Sequence, residues 1–152
     1  MLDHSREYHA AFLVASLEAL LFPRWLGLLV DASTSTLVGC VLVLAGFFCR
    51  WTAICTAQHH FTHQIAETKI ANHRLVTSGI YAWVRHPSYF GFTLLSLGTQ
   101  CVLGNLFSLL AFYVALHRFF AERIGYEEKT LQRFFAAEWQ AYRASTPLSG
   151  LL

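Results

Sequence analysis

A chain of 152 residues in which 55% are hydrophobic and only 13% charged is not composed like a soluble domain, where roughly 25% of residues carry charge. The net charge of +2, with no basic block and no strip of aromatic residues set among lysines, excludes nucleic acid as a partner. A single all-α domain embedded in the bilayer, covering residues 1–152, is the expectation.

The opening "MLDHSREYHA" lacks the basic stretch and apolar core of a cleaved signal, so insertion is expected to rely on the spanning segments themselves. A span needs about 20 predominantly apolar residues. Four segments are expected to meet this, over about 8–29, 33–57, 87–103 and 105–120. The first contains Glu18 and is interrupted at Pro23-Arg24, where a helix breaks readily. The second is uncharged until Arg50. Residues 86–117 contain no Lys, Arg, Asp or Glu, and Gly104-Asn105 in their middle marks a turn. Segments three and four therefore read as a tight helical hairpin.

Basic residues orient the spans. With the N-terminus, the 58–86 segment and the C-terminus on one side, every Lys and Arg except Arg24 falls there. Four spans with both ends cytosolic are expected. Within the 58–86 segment, His59, His60 and His63 have a spacing that a helix could turn toward a metal. No fourth ligand is evident, so interfacial polar residues near lipid headgroups are the preferred reading and no metal is expected. The four cysteines, Cys40, Cys49, Cys55 and Cys101, form no CxxC pair and read as small buried hydrophobes. Beyond 120 the chain becomes charged, with Phe134, Phe135, Trp139 and Tyr142 on one face of an amphipathic helix that "STPLSG" ends.

Two constellations carry chemistry. In "HRLVTSGIYAWVRHPSY", Pro87 suits a first helical turn. The amides after it, with the helix dipole and the nearby Arg85 and His86, make a candidate anion site. The alternative is a membrane anchor, with Arg85 for headgroups and Tyr81, Trp83 and Tyr89 as an aromatic belt. In "HRFFAERIGYEE", Arg123 and Glu127 stand one turn apart. They are either a surface ion pair or, brought by the hairpin to the mouth of the third segment, part of a site. No GxGxxG, P-loop or GxSxG is present, which excludes a soluble nucleotide-fold enzyme.

"HRLVTSGIYAWVRHPSYFGF", "SLGTQ", "RFFAERIGYEE" and "FFAAEWQAYRASTP" together resemble the isoprenylcysteine carboxyl methyltransferases, integral enzymes of the endoplasmic reticulum membrane. The resemblance covers nearly the whole chain. It implies transfer of a methyl group from S-adenosylmethionine to the C-terminal carboxylate of a prenylated cysteine in CaaX proteins, in a pocket open to the cytosol. By position it also implies cofactor contacts from His73, Arg74, Leu75, Val76, Tyr81, His86, Pro87, Ser88, Tyr89 and Glu127, and places Arg123 at the substrate carboxylate. The family can carry a cofactor-contacting Gln seven residues before the motif His, where this chain has Ala66. Animal members have further spans upstream, so a compact homologue and a fragment are both compatible with this sequence. The looser RHPxY pattern is shared with phospholipid methyltransferases, which keeps an amine methyltransferase as the alternative enzyme. A non-catalytic truncated membrane module is the alternative outside enzymes.

Overall fold

The computed structural model describes residues 5–22, 25–58 and 74–151. Among them the chain is wholly helical: α1 (Ser5–Leu21), α2 (Ala32–Ala57), α3 (Pro87–Leu103) and α4 (Leu106–Ser145), with short 3-10 turns at Trp25–Leu28 and Gly79–Ala82. The chain divides into two compact units: Met1–Gly46 with Thr93–Leu116, and Phe47–Phe92 with His117–Leu152. The segments 33–57 and 87–103 are helical, as α2 and α3. The expected 8–29 segment is shorter as a helix, α1 ending at Leu21 ahead of Pro23, whose ring cannot donate to a continuing helix. α4 runs from the expected fourth segment without a break into the expected amphipathic helix and ends at Ser145, with one non-helical residue at Ala136 (φ 42°, ψ −108°).

In the first unit, polar side chains join the helices. Glu18 of α1, 6% exposed, accepts the amides of Phe107 (2.8 Å) and Ser108 (2.7 Å) and the Ser108 hydroxyl. A carboxylate from one helix thus satisfies the unpaired first-turn amides of α4 and complements its dipole. This accounts for an acidic residue in an otherwise apolar segment. Asn105, fully buried, donates from Nδ2 to the carbonyl of Ala15 (2.9 Å) and to Gln100 Oε1 (3.0 Å). Gly104 supplies the left-handed conformation (φ 75°) that lets α3 and α4 be linked by two residues. Asp31 caps α2, accepting the Thr34 amide at 2.9 Å.

Leu37, Val41, Leu44, Phe48 and Trp51 follow one face of α2 and are 57–67% exposed. Among the described residues α2 alone is long and apolar enough to cross a membrane, with a mean hydropathy of 2.0 over a window that is 17% buried. That outward face also corrects the expectation for the cysteines. Cys101 is buried and Cys49 half-buried, but Cys40 and Cys55 are exposed, since a helix with so little of its surface covered turns small apolar residues outward too. The second unit packs around Trp139, Tyr142, Phe120, Ile124 and Ala53, all buried. Phe134 and Phe135 are only half-buried, so the expected aromatic face is buried chiefly through its last two members.

Candidate active site

The segment leading into α3 is built by its neighbours in sequence. His86 is the residue before the helix, and its carbonyl accepts the amides of Tyr89 and Phe90, both at 3.2 Å. Pro87, fully buried, stands where a missing N–H is harmless. This closure takes up most of the first-turn amides that the sequence offers to an anion. Tyr89 and Phe90 are spent on His86, Pro87 has no donor, and the Ser88 amide is the one that remains. Ser88 itself is buried, its hydroxyl accepting from Arg50 Nη1 at 3.0 Å. Arg50 also lies 5.3 Å from the centre of the Phe92 ring.

Tyr89 is the hub. Its ring is stacked between His86 (centroids 5.7 Å apart) and Phe120 (4.9 Å). Its hydroxyl donates to Glu127 Oε2 at 2.8 Å and accepts from Arg123 Nε at 2.9 Å. Arg123 and Glu127, one turn apart on α4, are thus joined through a side chain of α3. A phenol between a guanidinium and a carboxylate has one direction of donation, because only the carboxylate accepts. That direction fixes the rotation of the hydroxyl and holds both α4 side chains.

His86, 5% exposed, sits between two carboxylates: Nδ1 is 3.6 Å from Glu127 Oε2 and Nε2 is 3.4 Å from Glu128 Oε1. Neither approach is a short hydrogen bond, and Nε2 is buried without a hydrogen-bond partner among the described residues. The well-aligned bond to Glu128 comes from Arg85 Nε at 2.9 Å. His86 first, and then Arg85, hold the Glu128 carboxyl down to about 2 against the opposing effect of burial. A carboxyl whose folded value lies below its unfolded value of 4.5 stabilises the fold fully above that pH and loses the contribution as pH falls toward 2. Thermal unfolding followed across that range should therefore show the advantage of the wild type over Glu128→Gln shrinking below pH 4.5. Curves that stay parallel down to pH 2 would contradict this role.

The sequence-predicted residues separate into groups. Tyr89 contacts His86, Arg123 and Glu127, His86 also approaches Glu127, and Pro87 and Ser88 are buried at the same helix start. Tyr81 lies close enough for the Glu127 charge, after burial, to help push its phenol up to about 12. Its hydroxyl points to the Ala53 carbonyl (3.4 Å), while its own carbonyl accepts from Tyr142 (2.7 Å). Arg74 is exposed and Leu75 and Val76 half-buried, and none of the contacts that join the cluster involves them. His73, Ala66 and the histidines at 59, 60 and 63 lie outside the described residues. The expected aromatic belt reduces to Trp83, 77% exposed, because Tyr81 and Tyr89 are engaged inside the unit. Arg85 is neither a headgroup anchor nor part of the Tyr89 cluster: it is 8% exposed and bound to Glu128 and to the carbonyls of Thr146 and Pro147. Sequence reasoning missed Glu128 and the Arg50–Ser88 contact. The only signals for them were a second Glu beside Glu127 and a lone cation closing an apolar run.

Residues 37–133 match the model of the isoprenylcysteine carboxyl methyltransferase family. The protein-S-isoprenylcysteine O-methyltransferase of Saccharomyces cerevisiae is 40% identical over 149 residues, covering 94% of this chain and 62% of the relative. The Xenopus laevis enzyme of the same name is 37% identical, over 97% of this chain and 51% of the relative. A solved structure of a eukaryotic intramembrane Ras methyltransferase, an isoprenylcysteine carboxyl methyltransferase, superposes with a TM-score of 0.81 at 34% identity, over 96% of this chain and 52% of that one. The chain thus spans between about half and two-thirds of the length of these relatives.

Proposed function

We propose, from the premise that the chain belongs to the isoprenylcysteine carboxyl methyltransferase family, that it methylates the C-terminal carboxylate of a prenylated cysteine in CaaX-processed proteins, with S-adenosylmethionine as donor. The observation that carries this reading is Tyr89 holding Arg123 and Glu127 together beside His86. A cation for a carboxylate substrate and an anion for a cationic donor are fixed within one hydroxyl's reach of each other.

The residues present fit the donor. Glu127 keeps 27% of its side chain exposed although Tyr89 already holds one oxygen, and His86 Nε2, 3.4 Å from Glu128 Oε1, is a buried nitrogen that makes no short hydrogen bond among the described residues. An accessible anion, with a buried nitrogen beside it that makes no short hydrogen bond, suits a ligand carrying both an ammonium and a carboxylate group. When bound, S-adenosylmethionine supplies an electrophilic methyl group on a sulfonium. The chain's own task is then positioning, because a carboxylate is ionised near neutral pH and needs no base. Tyr89 holds Arg123 through Nε at 2.9 Å, and a guanidinium so positioned is the group suited to orient a substrate carboxylate, since its planar fork can bind two oxygens at once. Holding nucleophile and methyl group in line can supply roughly 7–11 kcal/mol of the barrier. His73, Arg74, Leu75, Val76 and Tyr81 complete the cofactor side in this proposal, with Pro87 and Ser88 shaping its floor.

The chain is placed in the membrane of the endoplasmic reticulum. Four spans, the last two as a hairpin, put both ends and the site on the cytosolic side, where the basic residues lie. The exposed apolar face of α2 meets lipid, and the prenyl chain enters from the bilayer. Purified protein incubated with labelled S-adenosylmethionine and N-acetyl farnesylcysteine is expected to form a base-labile methyl ester. Absence of that product, or labelling of phosphatidylethanolamine instead, would overturn the assignment.

A further inference from the structure

Residues 146–150 follow α4 without regular secondary structure and run against residues 82–86. Five hydrogen bonds join the two segments: the amides of Arg85 and His86 donate to the carbonyls of Leu148 (3.0 Å) and Ser149 (2.9 Å), Arg85 Nη1 donates to those of Thr146 and Pro147, and the Thr146 hydroxyl donates to Ala82 (3.3 Å). Arg85 is 8% exposed, and a buried guanidinium is stable only when its donors are met. Glu128 meets one of them, and the segment 146–147 meets the others named here. Gly150 ends this contact in the left-handed region (φ 94°). A Cβ there would stand 2.8 Å from the His86 carbonyl oxygen and 2.9 Å from Val84 Cγ1, so only glycine allows the two backbones this close.

We propose that residues 146–150 are a positioning strap for the methyl-transfer site, with Arg85 as its buckle. The strap grips His86 through its amide. The His86 carbonyl closes the first turn of α3 on Tyr89 and Phe90, and its ring stacks on Tyr89. Tyr89 in turn sets Arg123 and Glu127. The strap therefore reaches Arg123 and Glu127 through two intermediates, His86 and Tyr89. Arg85 and Gly150 are positioning residues on this account, and the proposal rests on the functional reading above.

Two variants test it without altering any ligand-contacting side chain: Gly150→Val, which forces the strap off His86, and Arg85→Lys, which keeps the charge and loses the multiple donors. In the intact protein in detergent, hydrogen exchange at the amides of Arg85 and His86 is expected to be slow, and to become about tenfold faster or more in Gly150→Val. Turnover per folded enzyme should fall about tenfold or more in both variants, with weaker calorimetric binding of S-adenosylhomocysteine and an unchanged helical circular dichroism spectrum. Unprotected amides in the wild type, or exchange unaltered by Gly150→Val, would overturn the strap whatever the activity. Exchange that responds while turnover per folded enzyme stays at the wild-type level would reduce the strap to a fold element and sink the positioning role. A wild type that methylates nothing is the separate failure of the functional reading, visible before any variant is made.

Discussion

Replacing Arg123 by Ala is expected to lower kcat about a hundredfold to a thousandfold, the loss typical of removing a preorganised donor from the reacting centre. Calorimetric affinity for S-adenosylhomocysteine should change little. Glu127→Ala should do the reverse in kind, weakening cofactor binding while a saturating cofactor concentration restores much of the turnover. Arg123→Lys should not rescue, because a lysine supplies neither the Nε bond to Tyr89 nor a planar two-nitrogen edge. The hydroxyl of Tyr89 couples the two residues, so Tyr89→Phe should lose part of both properties. Combined with Arg123→Ala, it should add less than its own effect in a double-mutant cycle. Steady-state kinetics with N-acetyl farnesylcysteine, read beside calorimetry on the same preparations, separates these outcomes. If Arg123→Ala and Glu127→Ala lost binding and turnover in equal measure, the division between substrate side and donor side would be wrong.

How much of this was legible in the sequence depends on the range of the interaction. The limits of α3 were readable, because proline at a first helical position and glycine just past a last one act locally. The meeting of the start of α3 with Arg123 and Glu127 was also readable. Tyr89 and Phe120 lie equally far along α3 and α4 from the two-residue link and face each other, and the next turn of α4 brings Arg123. That Tyr89 bridges the two, rather than contacting one of them, was not readable, since it depends on a hydroxyl direction. The strap left no trace, because four of its five acceptors and donors toward 82–86 are backbone carbonyls, which every residue carries. Glu18 showed only as a polar interruption of an apolar run. Its partners, the amides of Phe107 and Ser108, lie far along the chain and belong to a helix end that side-chain patterns mark poorly. Arg85 is the most instructive case. An arginine before a helix in an apolar chain reads equally as an anchor at the membrane face, and only burial and its carbonyl partners decide against that.

The first unit should be most sensitive where α2 and α3 cross. A Cβ on Gly98 would lie 2.8 Å from the Gly39 carbonyl oxygen, from Leu42 Cβ and from the Val43 amide nitrogen. One on Gly39 would lie 2.7 Å from the Gly98 carbonyl oxygen and the Val102 amide nitrogen. Most of these neighbours are backbone atoms of intact helices, which cannot swing aside as a side chain tip can. The helices themselves must part, and Ser35, whose hydroxyl donates to the Cys101 carbonyl at 2.7 Å, would lose its bond with them. Between apolar helices in lipid, close packing and such bonds supply most of the association, with little hydrophobic drive to replace them. Gly98→Val is therefore expected to remove more than the roughly 1–3 kcal/mol usual for overpacking, enough to abolish recovery of folded protein from detergent extracts. Gly98→Ala and Gly39→Ala should each lower the unfolding temperature clearly. The double variant should lose less than the sum, since one separation of the helices relieves both clashes. Gly125 on α4 is the control: a Cβ there meets nothing within 4 Å, so Gly125→Ala should stabilise by about 0.5–1 kcal/mol through helix propensity alone. If Gly98→Ala unfolded no earlier than the wild type, the close crossing of α2 and α3 would be refuted.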